Sequence, residues 1–233
     1  RLVSRRDLFV TPLFTFTLEG FEDLNRRLMA DIAALRQQSP GIRASNQHGW
    51  HSERDFFTRS EPSFLELKRH IFTAMGAAVS SLNPSLERSR MTVQAQGWIN
   101  VSERGAFNAP HDHPHYLLSG VYYVKVPVHD PKDSRGRSGA IEFMDSRGLS
   151  LQAKPQELYL GNAKQRIRPV EGSLLIFPAT LSHWVYPHEE DSERVSIAFN
   201  LRFGTAAAPS KARHSAQATA PTSAPRDDQG PAA

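Results

Sequence analysis

A chain of 233 residues, 39% hydrophobic and 22% charged, is long enough for one domain with a sizeable core and short for two. It has no cysteine, which excludes disulfides, zinc-thiolate sites and a cysteine nucleophile, so any metal must sit on nitrogen and oxygen ligands. The net charge of +4 arises from scattered basic residues rather than a basic stripe, which argues against nucleic acid as a partner.

No apolar run approaches the length needed to cross a membrane, and the first residues, RLVSRRDLFV, lack the apolar core of a secretory signal. A cytoplasmic location is the default expectation. In chain order, Phe21, Leu24, Leu28, Ile32 and Leu35 recur at steps of three or four and predict a helix ending before the SPG at 39–41. SNQHGWHS at 45–52 reads as a loop, with His48 and His51 as surface or packing residues rather than ligands and a substrate contact as the alternative. A second helical face runs Phe64, Leu67, Ile71, Met75, Ala78, Leu82, opened by Ser63 with Glu66 three residues on, the pattern of a capping box.

After Asn83-Pro84 the period changes to two. MTVQAQGWINV, LLSGVYYVKV, GAIEF, SLLIF and RVSIAFNLRF are short, rich in β-branched and aromatic residues, and separated by Gly, Pro, Asp and Ser clusters. They predict an antiparallel sandwich or barrel with the helices packed on one sheet. HDPKDSRGRSG at 129–139 reads as a long polar connection, and the Ala/Pro/Ser/Thr-rich segment 205–233 as a disordered tail. The expected organisation is a single domain over 1–204, with helical support at about 18–83 and a β core at about 90–203.

The last predicted strand is the most informative. Val195, Ile197, Phe199 and Leu201 alternate with Arg194, Ser196, Ala198, Asn200 and Arg202, so one face should meet the helices and the other a polar interior. An inward Arg194 is costly unless it meets a carboxylate or an anionic ligand. Upstream, APHDHPHYLLS at 109–119 places His111, His113 and His115 at alternate positions. On an extended segment His111 and His113 reach one metal together while Asp112 turns away. His183, in LSHWVYP, is the candidate third ligand, with Asp112 as fallback or outer partner.

The order of HDH at 111–113, SGVYYVKVP at 119–127, EGSLLIFP at 171–178, SHWVYP at 182–187 and RVSIAFN at 194–200 resembles that of the non-haem Fe(II)/2-oxoglutarate-dependent oxygenases. Their usual pattern is His-x-Asp/Glu, a distal His, and an Arg or Lys shortly after it. The strand holding Trp98 and Asn100, the H-x-H-P segment and S-G-V-Y-Y resemble a bacterial and phage group of that family. The resemblance extends to GWHS at 49–52 and covers about residues 8–203.

The resemblance implies a double-stranded β-helix, the jelly roll also found in cupins, and a dioxygenase that hydroxylates a small-molecule or peptide substrate while 2-oxoglutarate is decarboxylated to succinate. It further implies Fe(II) on His111, His113 and His183. Arg194 would bind the far carboxylate of 2-oxoglutarate, helped by Ser196 and Tyr123, with Asn100 as a further cofactor contact and Tyr122 turned into the core. The departure is His113, which stands where most members carry a carboxylate. Three imidazoles still leave three positions open on an octahedral metal, but the site becomes one unit more positive. Two alternatives stay open: a three-His cupin-type dioxygenase that does not use 2-oxoglutarate, and a non-catalytic metal or small-anion binding module. An exposed jelly-roll sheet also leaves room for a homodimer.

Overall fold

The computed structural model of the chain describes residue 4 and residues 10–42, 46–87, 91–128, 136–145 and 164–205. The tail from 206 and residues 129–135 of the polar connection lie outside the described residues. The first helix, α1, spans Phe21–Gln38 and buries Leu24, Leu28, Ile32 and Leu35, as the periodicity predicts. The second, α2, spans Pro62–Leu82 and buries Phe64, Leu67, Ile71 and Ala78. Neither helix is long and apolar enough to cross a membrane.

The expected capping box at Ser63 and Glu66 is not formed. Pro62 occupies the first turn and Glu61 the N-cap position, with no side-chain cap. Pro suits that position because its missing N–H would have had no helical partner. Ser63, displaced into the helix, donates to Asp31 of α1 at 2.5 Å, and Glu66 accepts from Arg27 at 2.8 Å. Both side chains therefore tie the two helices together instead of capping one.

Among the described residues, eleven strands follow in chain order: β1 Phe14–Thr17, β2 Asn46–Gln47, β3 Trp50–His51, β4 Met91–Ser102, β5 Phe107–His111, β6 Leu118–Lys125, β7 Ile141–Met144, β8 Lys164–Ile167, β9 Ser173–Pro178, β10 His183–Val185 and β11 Arg194–Thr205. They form one sheet in the order β1-β9-β6-β11-β4-β3 and a second in the order β2-β5-β10-β7-β8. Every named pairing is antiparallel. This is the expected jelly roll. The segment 45–52, expected as a loop, supplies the short strands β2 and β3, and β11 runs one residue into the expected tail.

Alternation along the large sheet separates two interiors. Val195, Ile197, Phe199 and Leu201 of β11, with Tyr122, Leu174 and Ile176, pack against the buried faces of α1 and α2. Each such side chain contributes about 1.5–3 kcal/mol of burial. Tyr122 is fully buried there and donates to Asn25 Oδ1 at 2.7 Å. The opposite face of the same strands meets the small sheet through Val121, Tyr123, Ile141, Phe143, Leu175 and Phe177. Gly120 permits this close packing: a Cβ there would lie 2.3 Å from Phe199 Cζ and 2.6 Å from the Leu175 carbonyl.

Candidate metal centre

The small sheet places two histidines opposite each other. His111, the last residue of β5, is paired in register with His183, the first of β10. His113 lies two residues beyond the strand, and its N–H is held by the Ala179 carbonyl at 2.9 Å. The three rings converge, with centroids 5.0 Å (111–113), 4.4 Å (111–183) and 5.2 Å (113–183) apart. One ligand atom from each lies within 4.8 Å of the others. Asp112 is exposed and outside the cluster, as alternation requires, and His115 is exposed on a left-handed residue at φ 76.

The ring orientations are set by the backbone. His111 Nδ1 is 2.7 Å from the Ala109 carbonyl, and His183 Nδ1 is 2.8 Å from the Leu181 carbonyl. A carbonyl can only accept, so each Nδ1 carries the proton and each Nε2 keeps its lone pair free for a metal. His183 is also packed against Phe177 and Phe143, at ring distances of 5.1 and 6.0 Å.

Burial, followed by the nearby His111, holds His183 down to about 4. Burial, then His183, His111 and Arg54, hold His113 down to about 3. Both imidazoles are therefore neutral at pH 7 and available as ligands. The same shifts make the metal-free fold acid-sensitive. In the unfolded chain these groups return to about 6.5, so between that value and the folded ones the unfolded chain binds more protons. Stability is fully present above about pH 6.5 and falls toward pH 4, by at most about 1.4 kcal/mol per pH unit for each histidine. Urea midpoints of the metal-free chain at pH 7 and pH 5 should show the loss; equal midpoints would contradict it.

The large sheet supplies the rest of the cavity. Asn100 of β4 and Tyr123 of β6 flank Ser196 of β11 in one cross-strand row. Arg194 lies two residues before Ser196 on the same face, its Nη1 3.5 Å from the Ser196 hydroxyl and its guanidinium 5.1 Å from the centre of the Tyr123 ring. These four residues and the three histidines line one cavity.

Arg194 is only 3% exposed. Burial pushes it below the usual guanidinium value and pushes the Tyr123 phenol up, each opposed by the other's presence. Among the described residues, Arg194 Nε, the Tyr123 hydroxyl and Asn100 Oδ1 make no hydrogen bond. A buried guanidinium with no carboxylate beside it is expensive, and its cluster of unused polar atoms fits an anionic ligand. The donor set at the other end, three converging imidazoles, fits a divalent first-row metal.

The fold thus brings His111, His113, His183, Arg194, Ser196, Tyr123 and Asn100 to one cavity and leaves Asp112 and His115 outside it. Trp98 and Asn108 also line the cavity, and no local pattern in the sequence sets Asn108 apart.

Comparison with known proteins follows the same line. The family model described as "Putative 2OG-Fe(II) oxygenase" matches residues 96–200. No curated protein matches the chain in sequence. Among solved structures, a prolyl-4-hydroxylase from Pseudomonas putida is similar at 16% identity and TM-score 0.57, over 84% of this chain and 95% of that one. SnoN, a non-haem α-ketoglutarate-dependent epimerase from nogalamycin biosynthesis, is similar at 13% and 0.56, over 84% and 79%. HygX from Streptomyces hygroscopicus, solved with nickel and 2-oxoglutarate, is similar at 10% and 0.54, over 82% and 83%. At these identities the likeness carries the fold. The family match covers the jelly-roll segment 96–200, and the solved structures share its fold.

Proposed function

We propose that the chain is a dioxygenase in which His111, His113 and His183 hold Fe(II) and Arg194 receives the far carboxylate of 2-oxoglutarate. The observation that carries this reading is the buried Arg194 guanidinium, without an acid partner among the described residues, in the same cavity as three converging imidazoles. Bound there, Fe(II) and 2-oxoglutarate would couple decarboxylation to succinate with oxidation of a substrate C–H bond, and hydroxylation is the outcome proposed.

The protein's own residues bind, orient and exclude water. Arg194 offers a planar pair of N–H donors to a carboxylate, and the Ser196 and Tyr123 hydroxyls border the same end of the cavity. Asn100 offers a further polar contact from β4. The Ala109 and Leu181 carbonyls hold two ligands in the tautomer that presents Nε2. Phe177, Ile141 and Val185 form an apolar wall that limits water at the reacting end.

A three-His centre that ignores 2-oxoglutarate, or a simple metal-binding module, leaves the lone buried Arg194 without a purpose, and the dioxygenase reading is preferred for that reason. Under argon, adding Fe(II) and then 2-oxoglutarate should give a weak visible charge-transfer band, and air should then yield succinate. Absence of both the band and succinate would overturn the cofactor assignment.

A further inference from the structure

Trp98 is half-buried and lines the metal cavity, so its indole spans the centre and the solvent. On the metal side its ring lies 6.0 Å from the His113 ring. His51 stacks on it at 5.7 Å with 12° between planes, and His51 is itself fixed, 2% exposed with Nδ1 on the Ser52 carbonyl at 2.6 Å. Over the indole sits the Arg54 guanidinium, 5.7 Å from the ring centre.

Arg54 is exposed, and its guanidinium is held over this ring. The carboxylate of its neighbour Asp55 is taken by Arg59 at 2.8 Å. Stacking on an aromatic face fixes the plane of a guanidinium and leaves its edge donors free.

The charge balance points the same way. With His113 in a carboxylate's place, the metal ligands bring no negative charge. A bound 2-oxoglutarate dianion would bring two negative charges against the three positive ones of a metal dication and Arg194, so the loaded cavity would stay positive with Arg54 as a further cation beside it. The part of the cavity nearest His183 is apolar, formed by Ile141, Phe177 and Val185.

We propose that Arg54 and Trp98 form the substrate-recognition subsite of this centre, and that it takes a molecule carrying an oxyanion, carboxylate or phosphate, on an apolar body. The oxyanion meets the edge of Arg54, the body passes Trp98, and the reacting carbon reaches the histidines. The assignment rests on the dioxygenase reading above.

The test uses the full chain loaded with Fe(II) and saturating 2-oxoglutarate under argon, so that Arg194 is already occupied. Phenylacetate, phenyl phosphate and neutral phenylacetamide are titrated in separate calorimetric runs. At least one oxyanion should bind about tenfold or more tighter than the amide, and the stronger of the two identifies the headgroup. Arg54→Gln should bring the ratio to within about twofold, and Arg54→Lys should retain part of it. Trp98→Leu should weaken all three probes. Because Arg54 is exposed, the Gln variant should melt with the parent.

A parent chain that binds none of the probes, or binds the amide as well as the oxyanions, overturns the subsite, as does an Arg54→Gln variant that keeps the preference. The preceding 2-oxoglutarate titration separates this from the wider reading. Normal 2-oxoglutarate binding followed by no oxyanion preference removes the subsite alone, whereas no 2-oxoglutarate binding removes the reading beneath it.

Discussion

Arg194→Ala should weaken 2-oxoglutarate binding by about a hundredfold or more while changing metal affinity only a few-fold. Truncating one partner of a buried, hydrogen-bonded charge pair costs roughly 2–5 kcal/mol, and Arg194 is buried with little else to bond. Arg194→Lys keeps the charge but loses the planar fork, so its loss should be smaller, about tenfold. Calorimetric titration of 2-oxoglutarate into the metal-loaded variants reads both numbers. An Ala variant that binds within a few-fold of the parent would show that the carboxylate goes elsewhere.

The same residue should behave in reverse when no ligand is bound. An uncompensated buried charge destabilises its fold, and an apolar side chain of similar length often improves it. Arg194→Met is therefore expected to raise the melting temperature of the ligand-free chain, or leave it unchanged, even as it abolishes 2-oxoglutarate binding. A structural arginine held by an internal carboxylate would give the opposite sign. Gly139, at φ 60 with its Cβ position 2.9 Å from Arg194 Cδ, shows how closely the stem of this side chain is already packed.

Much of this arrangement was legible in the sequence because strand alternation is a strict rule. Val195, Ile197, Phe199 and Leu201 of β11 pack on the helices while Arg194, Ser196 and Ala198 face the cavity, so Arg194 and Ser196 followed from pattern alone. The same rule separated Tyr122 from Tyr123 and Asp112 from its flanking histidines. Other features were not legible because they depend on contacts distant in sequence. The strand β8, KQRI, is polar and half exposed, and β10 has only three residues, so neither shows a period of its own. Ser63 and Glu66 match a capping box locally, but α1 lies close enough to claim both side chains. Arg54 meets Trp98 only because β3 pairs with β4, placing His51 opposite Asn100. Nothing near Arg54 in the chain announces that neighbour.

His183→Ala should remove stoichiometric metal binding, lowering Fe(II) affinity by at least about a hundredfold. Losing even an outer partner of a ligand costs roughly 10–100-fold, and His183 is the ligand between the other two supports: it pairs with His111 across the sheet and lies 5.2 Å from the His113 ring. Two imidazoles alone would hold the metal weakly. His115→Ala is the matched control, since that ring is exposed and outside the cluster, and it should bind metal as the parent does. His113→Asp asks a different question. It restores the carboxylate that most family members carry and removes one unit of positive charge, so the site should keep its metal while the position of the 2-oxoglutarate band shifts. Equilibrium dialysis against Fe(II) under argon, with metal analysis, checks the metal content of all three variants, and an anaerobic visible spectrum with 2-oxoglutarate reads the band of His113→Asp. Undiminished metal in His183→Ala would rule out the three-histidine centre, whereas loss in His115→Ala would mean that the wrong member of the alternating run had been chosen.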